Sequence, residues 1–200
     1  MFGENGMIRL VRGSTIVFEG LDATGKSTQI ERLRARVVGA STEFVHMPTG
    51  FDAFAAALRR TLEDPNTKPR HALAKQLAHL ACHAESMPDL VRIRSEGALV
   101  LDRWWWSTIA YGWNVFTDSS LSRSTFEELV TSIWLPVPAD QIFLFLSPHK
   151  DDANNDPAIV GKYRELANEA AVFELGIMTE DQAHTAVVDQ LLDRGLAVLA

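Results

Sequence analysis

Gly20-Leu21-Asp22-Ala23-Thr24-Gly25-Lys26-Ser27 sets two glycines, a lysine and a hydroxyl at G-x-x-x-x-G-K-S spacing. That spacing suits chemistry on phosphate. Phosphate oxygens carry dense negative charge, so their site needs backbone N–H groups turned inward and a helix N-terminus aimed at them. Gly20 and Gly25 permit the backbone conformations and close approach that a Cβ would obstruct. Lys26 offers a mobile cation to the terminal phosphates of a nucleoside triphosphate, and Ser27 a hydroxyl to Mg²⁺. The run Gly20, Leu21, Asp22, Ala23, Thr24, Gly25, Lys26, Ser27 and Thr28 is therefore expected to hold ATP. A plain glycine-rich turn would lack the flanking elements. Here the β-branched and aromatic run Thr15-Ile16-Val17-Phe18 precedes the loop and a helix-like stretch, 27–38, follows it.

A second cluster is Asp102-Arg103-Trp104, with Ser107, Thr108 and Tyr111 behind it. Asp102 ends the apolar run Ala98-Leu99-Val100-Leu101, on the side where open α/β sheets bind ligands, so its carboxylate is placed to hold Mg²⁺ or its waters. Arg103 adds a planar cation suited to two-pronged phosphate contact. A strand-end ion pair is the other reading of the same two residues. On a helix, Trp104, Ser107, Thr108 and Tyr111 share one face, fit to offer an aromatic wall and a hydroxyl to a flat base. Helical spacing turns Trp105 and Trp106 about 100° and 200° from Trp104, so the three are not expected to form one cage. Trp106, Ala110 and Trp113 form a second stripe, expected to pack in the core.

The elements that must position these groups alternate in type along the chain. Strands are expected at 15–18, 43–47, 98–101, 141–146 and, weakly, 172–175. Helices are expected at 27–38, 51–63, 71–94 (one helix or two, with Pro88 as a first-turn residue or a kink), 124–134 and 161–171. A final helix opens on Thr179-Glu180-Asp181-Gln182, which matches a capping box. This alternation predicts an α/β fold, three layers α/β/α, around a central, mostly parallel five-stranded sheet. One domain over 1–200 is expected, with 1–13 as an N-terminal extension.

Composition narrows the class. With 46% hydrophobic and 22% charged residues, the 200-residue chain is neither disordered, collagen-like nor membrane-embedded. Nineteen Lys+Arg against 26 Asp+Glu leave a net charge of −7, which argues against coating nucleic acid while permitting a local basic cleft. The single cysteine, Cys82, excludes an internal disulfide or a cysteine-based zinc cluster and fits a reducing cytoplasm. Neither a secretory leader nor a membrane span is expected, since even the strongly apolar run Ile142 to Leu146 is far below the ~20 residues a bilayer requires.

Phe18-Glu19-Gly20-Leu21-Asp22-x-x-Gly25-Lys26-Ser27-Thr28 resembles the F-E-G-x-D-G-x-G-K-S-T opening of thymidylate kinases. Asp102-Arg103-Trp104-x-x-Ser107-x-x-Ala110-Tyr111 is similar to that family's D-R-[YF]-x-x-S-x-x-A-Y-Q, at about the family's interval. The resemblance covers residues 14 to 113 and is patchy beyond. It implies a P-loop nucleotide kinase that transfers the γ-phosphoryl group of ATP, with Mg²⁺, to dTMP. Lys26, Asp102, Arg103 and Asp22 would be its catalytic residues, Ser27 and Asp102 its metal ligands, and a homodimer its common assembly. Arg103 would contact the acceptor's phosphate, with Asp22 near the acceptor's sugar and phosphate.

Four positions depart from the pattern. Where the family carries F-A-A-D-R, implying a base-stacking phenylalanine and a phosphate-binding arginine, this chain has His79-Leu80-Ala81-Cys82-His83. His79 and His83 are accordingly expected at the acceptor, although a polar helix face is equally consistent and a metal pair lacks a third ligand nearby. Gly112 stands where the family has glutamine near the thymine ring, and Met47-Pro48-Thr49-Gly50 only faintly echoes E-P-G-G-T. The lid is shortened to 147–157 and contains no arginine, leaving Lys150, Lys162 and Arg164 as the nearby cations. Two further readings stay open on these residues. One is a kinase of a hydroxyl on a nucleoside or on a modified base in DNA, with Glu19, Asp22 or Asp102 as base; the net charge does not favour DNA. The other is a catalytically silent nucleotide-binding module.

Overall fold

The computed structural model describes residues 6–39, 41–112, 121–149, 155–168 and 171–200. Its elements run β1 (Ile8–Leu10), β2 (Thr15–Gly20), α1 (Lys26–Arg36), β3 (Thr42–His46), α2 (Ala53–Glu63), α3 (Ala72–Glu96) and β4 (Ala98–Asp102). They continue with α4 (Trp105–Tyr111), α5 (Arg123–Trp134), β5 (Gln141–Phe145), α6 (Pro157–Ala167), β6 (Val172–Leu175), α7 (Glu180–Asp193) and β7 (Ala197–Leu199).

Five strands pair in the order β3-β4-β2-β5-β6, every neighbour parallel. The central strand β2 is buried along its whole length, as a strand covered on both faces must be. Its side chains alternate between two cores. Val17 points with Leu101 and Leu144 toward Leu90, Trp106, Phe126 and Trp134, on the side of α3, α4 and α5. Ile16 and Phe18 point with Phe143 toward Leu33, Val187 and Leu191, on the side of α1 and α7. The result is the expected α/β/α sandwich, and the carboxyl ends of β2 and β4 open at one edge, where Gly20 and Asp102 lie.

Several local expectations hold and others shift. Thr179 and Gln182 form the reciprocal capping bonds that start α7. The stretch 71–94 becomes a single helix with Pro88 inside it. Residues 8–10, expected to lie in an extension, pair antiparallel with Leu199, Val198 and Ala197, and Ile8 is fully buried. Helix α6 starts at Pro157, earlier than the sequence implied, because Asp156 caps it by accepting the Ala158 N–H at 2.7 Å. Among the described residues no helix is long and apolar enough to cross a membrane.

Candidate active site

The phosphate loop is built by β2 running hard against β5. The Leu21 N–H donates to the Phe145 carbonyl at 2.9 Å, and a Cβ on Gly20 would fall 2.0 Å from that oxygen, so only glycine fits. Gly25, at φ 89, turns the chain into α1. Lys26 folds inward: its ammonium donates to the Leu21 carbonyl and sits 3.4 Å from Thr24 Oγ1. Burial, reinforced by the Arg103 charge, lowers the Lys26 pKa to about 8. Leu21 contributes backbone only, since its side chain is buried in the core, whereas Ser27 and Thr28 stand exposed on the first turn of α1.

Asp102 and Arg103 meet this loop from β4. A cavity of about 400 Å³ above the loop is lined by Asp22, Lys26, Ser27, Asp102 and Arg103, among others. Asp102 accepts from His46 Nδ1 at 2.9 Å; burial raises its pKa, but that bond and the charges of His46, Lys26 and Arg103 outweigh it and hold the carboxyl below its usual range. Arg103 adopts φ 72, a left-handed backbone for a residue with a side chain. It is held there by its N–H on the Phe18 carbonyl at 2.9 Å and by its guanidinium on Asp22, on Ser107 Oγ at 3.0 Å and on the Gly20 carbonyl at 3.3 Å. Ser27 and Asp102 together offer hard oxygen donors on one cavity wall. That set suits Mg²⁺, which takes one or two protein oxygens and completes its shell with phosphate and water.

Beneath these groups lies a buried carboxylate that the motif analysis weighed only as a base. Glu19 is fully buried and accepts five hydrogen bonds. Oε1 takes the Trp104 and Ser107 N–H groups at 2.7 and 3.0 Å; Oε2 takes the Gly20 N–H at 3.1 Å, Ser107 Oγ at 2.7 Å and Tyr163 OH at 3.0 Å. With both oxygens saturated, Glu19 is a structural hub tying the loop to α4 and α6, and it is not available as a general base.

On the far side of Arg103 opens a cavity of about 500 Å³, lined by Asp22, Arg103, Trp104, Ser107, Thr108 and Tyr111 and by Gln76, His79 and His83 of α3. The expected acceptor residues Asp22, His79, His83, Arg103, Trp104, Ser107 and Tyr111 therefore come together in one wall. Burial lowers the pKa of His79 to about 4 and that of His83 to about 3, so both are neutral near pH 7 and neither replaces an arginine as a phosphate cation. Gln76 Oε1, Trp104 Nε1 and Tyr111 OH are buried here without partners. Trp104 precedes α4 in an extended conformation, so its ring escapes helical spacing and does meet Trp105 and Trp106, at 5.1 and 6.0 Å between ring centres. Trp106 and Ala110 are core residues as expected; Trp113 lies outside the described residues.

A third cavity, of about 290 Å³, opens on the opposite flank of the loop between Thr28, His149, Gly176, Met178 and Ala183. It shares Thr24, Gly25 and Thr28 with the phosphate cavity, which in turn shares Asp22 and Arg103 with the α3-lined one. Of the lid cations, Lys162 is buried and engaged by Glu165 at 3.1 Å and Glu127 at 3.3 Å, so it does not serve the loop; Lys150 lies outside the described residues. Two residues of the 147–157 segment, expected as a lid, make contacts that their types do not announce. Asn155 clasps the Asp22 backbone at both N–H and carbonyl, at 3.0 and 2.9 Å, and the His149 N–H donates to the Ala23 carbonyl at 2.9 Å. A lone Asn or His in an acidic stretch carries no signal of that kind.

A family model described as Thymidylate kinase matches residues 18–153. The chain is 31% identical over 162 residues to a thymidylate kinase of Prochlorococcus marinus (strain MIT 9313), covering 72% of each. It is 34% identical over 98 residues to a probable thymidylate kinase of Natronomonas pharaonis, covering 48% of each, so the chain spans about half the length of that relative. Its backbone resembles the thymidylate kinase of Candida albicans with a TM-score of 0.70, covering 94% of this chain and 96% of that one at 16% identity, a likeness of fold.

Proposed function

We propose, from the premise that this chain belongs to the thymidylate kinase family, that it transfers the γ-phosphoryl group of ATP to dTMP, giving dTDP and ADP. The observation that carries this reading is Arg103, whose guanidinium stands on the wall shared by the phosphate cavity and the base-sized cavity beyond it. Lys26 and the loop N–H groups would bind the β- and γ-phosphates, with the adenosine in the cavity beside His149. Arg103, oriented by Asp22 and Ser107, would hold the acceptor phosphate. An ionised oxygen of that phosphate attacks Pγ; the new O–Pγ bond forms as the bond from Pγ to the β–γ bridging oxygen breaks, and the electron pair leaves on ADP.

No general base is required. That agrees with the three carboxylates near the loop, each already engaged: Glu19 by five donors, Asp22 by Arg103 and Asp102 by His46. Mg²⁺, when bound by Ser27 and Asp102, would neutralise charge on the β- and γ-oxygens. The reading includes a homodimer in a reducing cytoplasm, which sedimentation equilibrium of the purified protein checks for assembly.

The test is acceptor-dependent ADP formation from Mg-ATP with the product identified by mass, Lys26→Ala serving as the blank. The panel holds dTMP, the other deoxynucleoside monophosphates, thymidine, and plain and hydroxymethylated DNA. Turnover of dTMP is expected. Turnover confined to thymidine or DNA would instead assign a hydroxyl acceptor, and ATP binding with no turnover would assign a binding module.

A further inference from the structure

His83 sits in the acceptor wall at 2% exposure, against Trp134 at the end of α5. The two rings meet edge-on at 5.4 Å between centres, and Trp134 Nε1 lies 3.2 Å from His83 Nδ1. An indole N–H can only donate. Nδ1 must therefore be the bare, accepting nitrogen, and an uncharged ring then carries its proton on Nε2. Among the described residues nothing bonds Nε2, and that nitrogen is not sealed off, so it opens to the cavity that the ring lines. The cavity thus receives one N–H donor of fixed identity and no charge from this position. The cationic end of the cavity, Arg103 and its Asp22 partner, belongs to the phosphate loop, so a neutral donor on α3 faces the base.

We infer that Trp134 locks His83 as an Nε2–H donor, and that this donor selects an acceptor base with a carbonyl rather than an amino group at C4, thymine over cytosine. The inference rests on the acceptor reading above and extends it to the residue that reads the base and the residue that positions it. A thymine carbonyl accepts the Nε2 proton. A cytosine amino group at the same edge meets it donor to donor, and His83 cannot turn Nε2 into an acceptor without giving up the Trp134 bond.

The experiment combines two readouts on the full chain. Nitrogen-15 NMR of labelled histidine reports which His83 nitrogen is protonated, without any ligand. Equilibrium binding of dTMP and dCMP reports selection, without any turnover. For the wild type, a bare Nδ1 and protonated Nε2 are expected, with dTMP bound at least tenfold more tightly than dCMP. Trp134→Phe keeps an aromatic ring but removes the donor together with the indole's second ring; it is expected to mix the tautomers and cut the preference about tenfold, chiefly by tighter dCMP binding. A packing role alone would weaken dTMP and dCMP alike, leaving their ratio and the His83 tautomer unmoved. Should that variant fail to fold, the wild-type spectrum and the two affinities decide alone. A proton on Nδ1, or dCMP bound as well as dTMP, overturns the inference. Thymine preference without turnover supports it while ending the phosphoryl-transfer reading, and turnover of dTMP without preference does the reverse.

Discussion

The two flanks of the loop are built on different principles. On the proposed donor side, the site is made of backbone: Gly20 packed where no Cβ fits, Gly25 turning into α1, and N–H groups that every residue but proline possesses. On the proposed acceptor side, the cavity is walled by side chains from α3 and α4, held by long-range bonds such as Trp134 to His83. Backbone recognition ties a site to glycine spacing, so it changes little without being destroyed. Side-chain recognition can be rebuilt one residue at a time, and His79 and His83 stand on the cavity wall where such change would act. Glu19 joins the two, accepting from the loop at Gly20 and from α4 at Trp104 and Ser107.

If the flanks are separable, removing the loop cation should strike one and spare the other. Lys26→Ala is expected to lower kcat by about a thousandfold or more while leaving dTMP affinity within about threefold, read by single-turnover kinetics and titration. Equal loss in both would dissolve the distinction. Glu19→Gln attacks the joint: an amide supplies donors where donors already point, so a loss of about 3 kcal/mol in denaturant unfolding is expected, with both affinities weakened.

Proton linkage at Lys26 gives a further contrast. Its native pKa is depressed to about 8 from 10.5, so the unfolded state holds the extra proton between those values. Stability of the free protein should therefore rise across that window as pH increases. ATP, which requires the ammonium, should bind about tenfold more weakly per unit above pH 8. Thermal melts and calorimetric titrations should show these opposite slopes in the wild type and neither in Lys26→Ala. Asn155→Ala is the mildest probe: losing its clasp on Asp22 should raise both Michaelis constants about threefold with little change in stability.

How much the chain disclosed in advance follows the same divide. The strand, loop and helix around Lys26 were legible because backbone geometry demands glycine at set intervals, and the middle of the sheet was legible because β2, β4 and β5 are buried on both faces. Glu19 looked like a spare base because its partners Trp104, Ser107 and Tyr163 lie 85 to 144 positions away. The state of His83 was equally hidden, since the group that fixes its tautomer sits 51 residues on. Trp104 misled by standing just outside α4, where helical spacing does not apply. Strands β1 and β7, three residues each, are too short to show alternation.

The central claim is that one loop serves a nucleotide cavity on each flank, joined through the phosphate cavity that shares Asp22 and Arg103 with the acceptor side. Adenosine and thymidine joined through five phosphates would span both, and its affinity, measured by titration calorimetry, addresses the claim directly. Binding at least a hundredfold tighter than either ATP or dTMP, at one molecule per chain, is the expected result. Affinity no better than the tighter of the two nucleotides alone, or retained binding of a second dTMP beside it, would contradict the account.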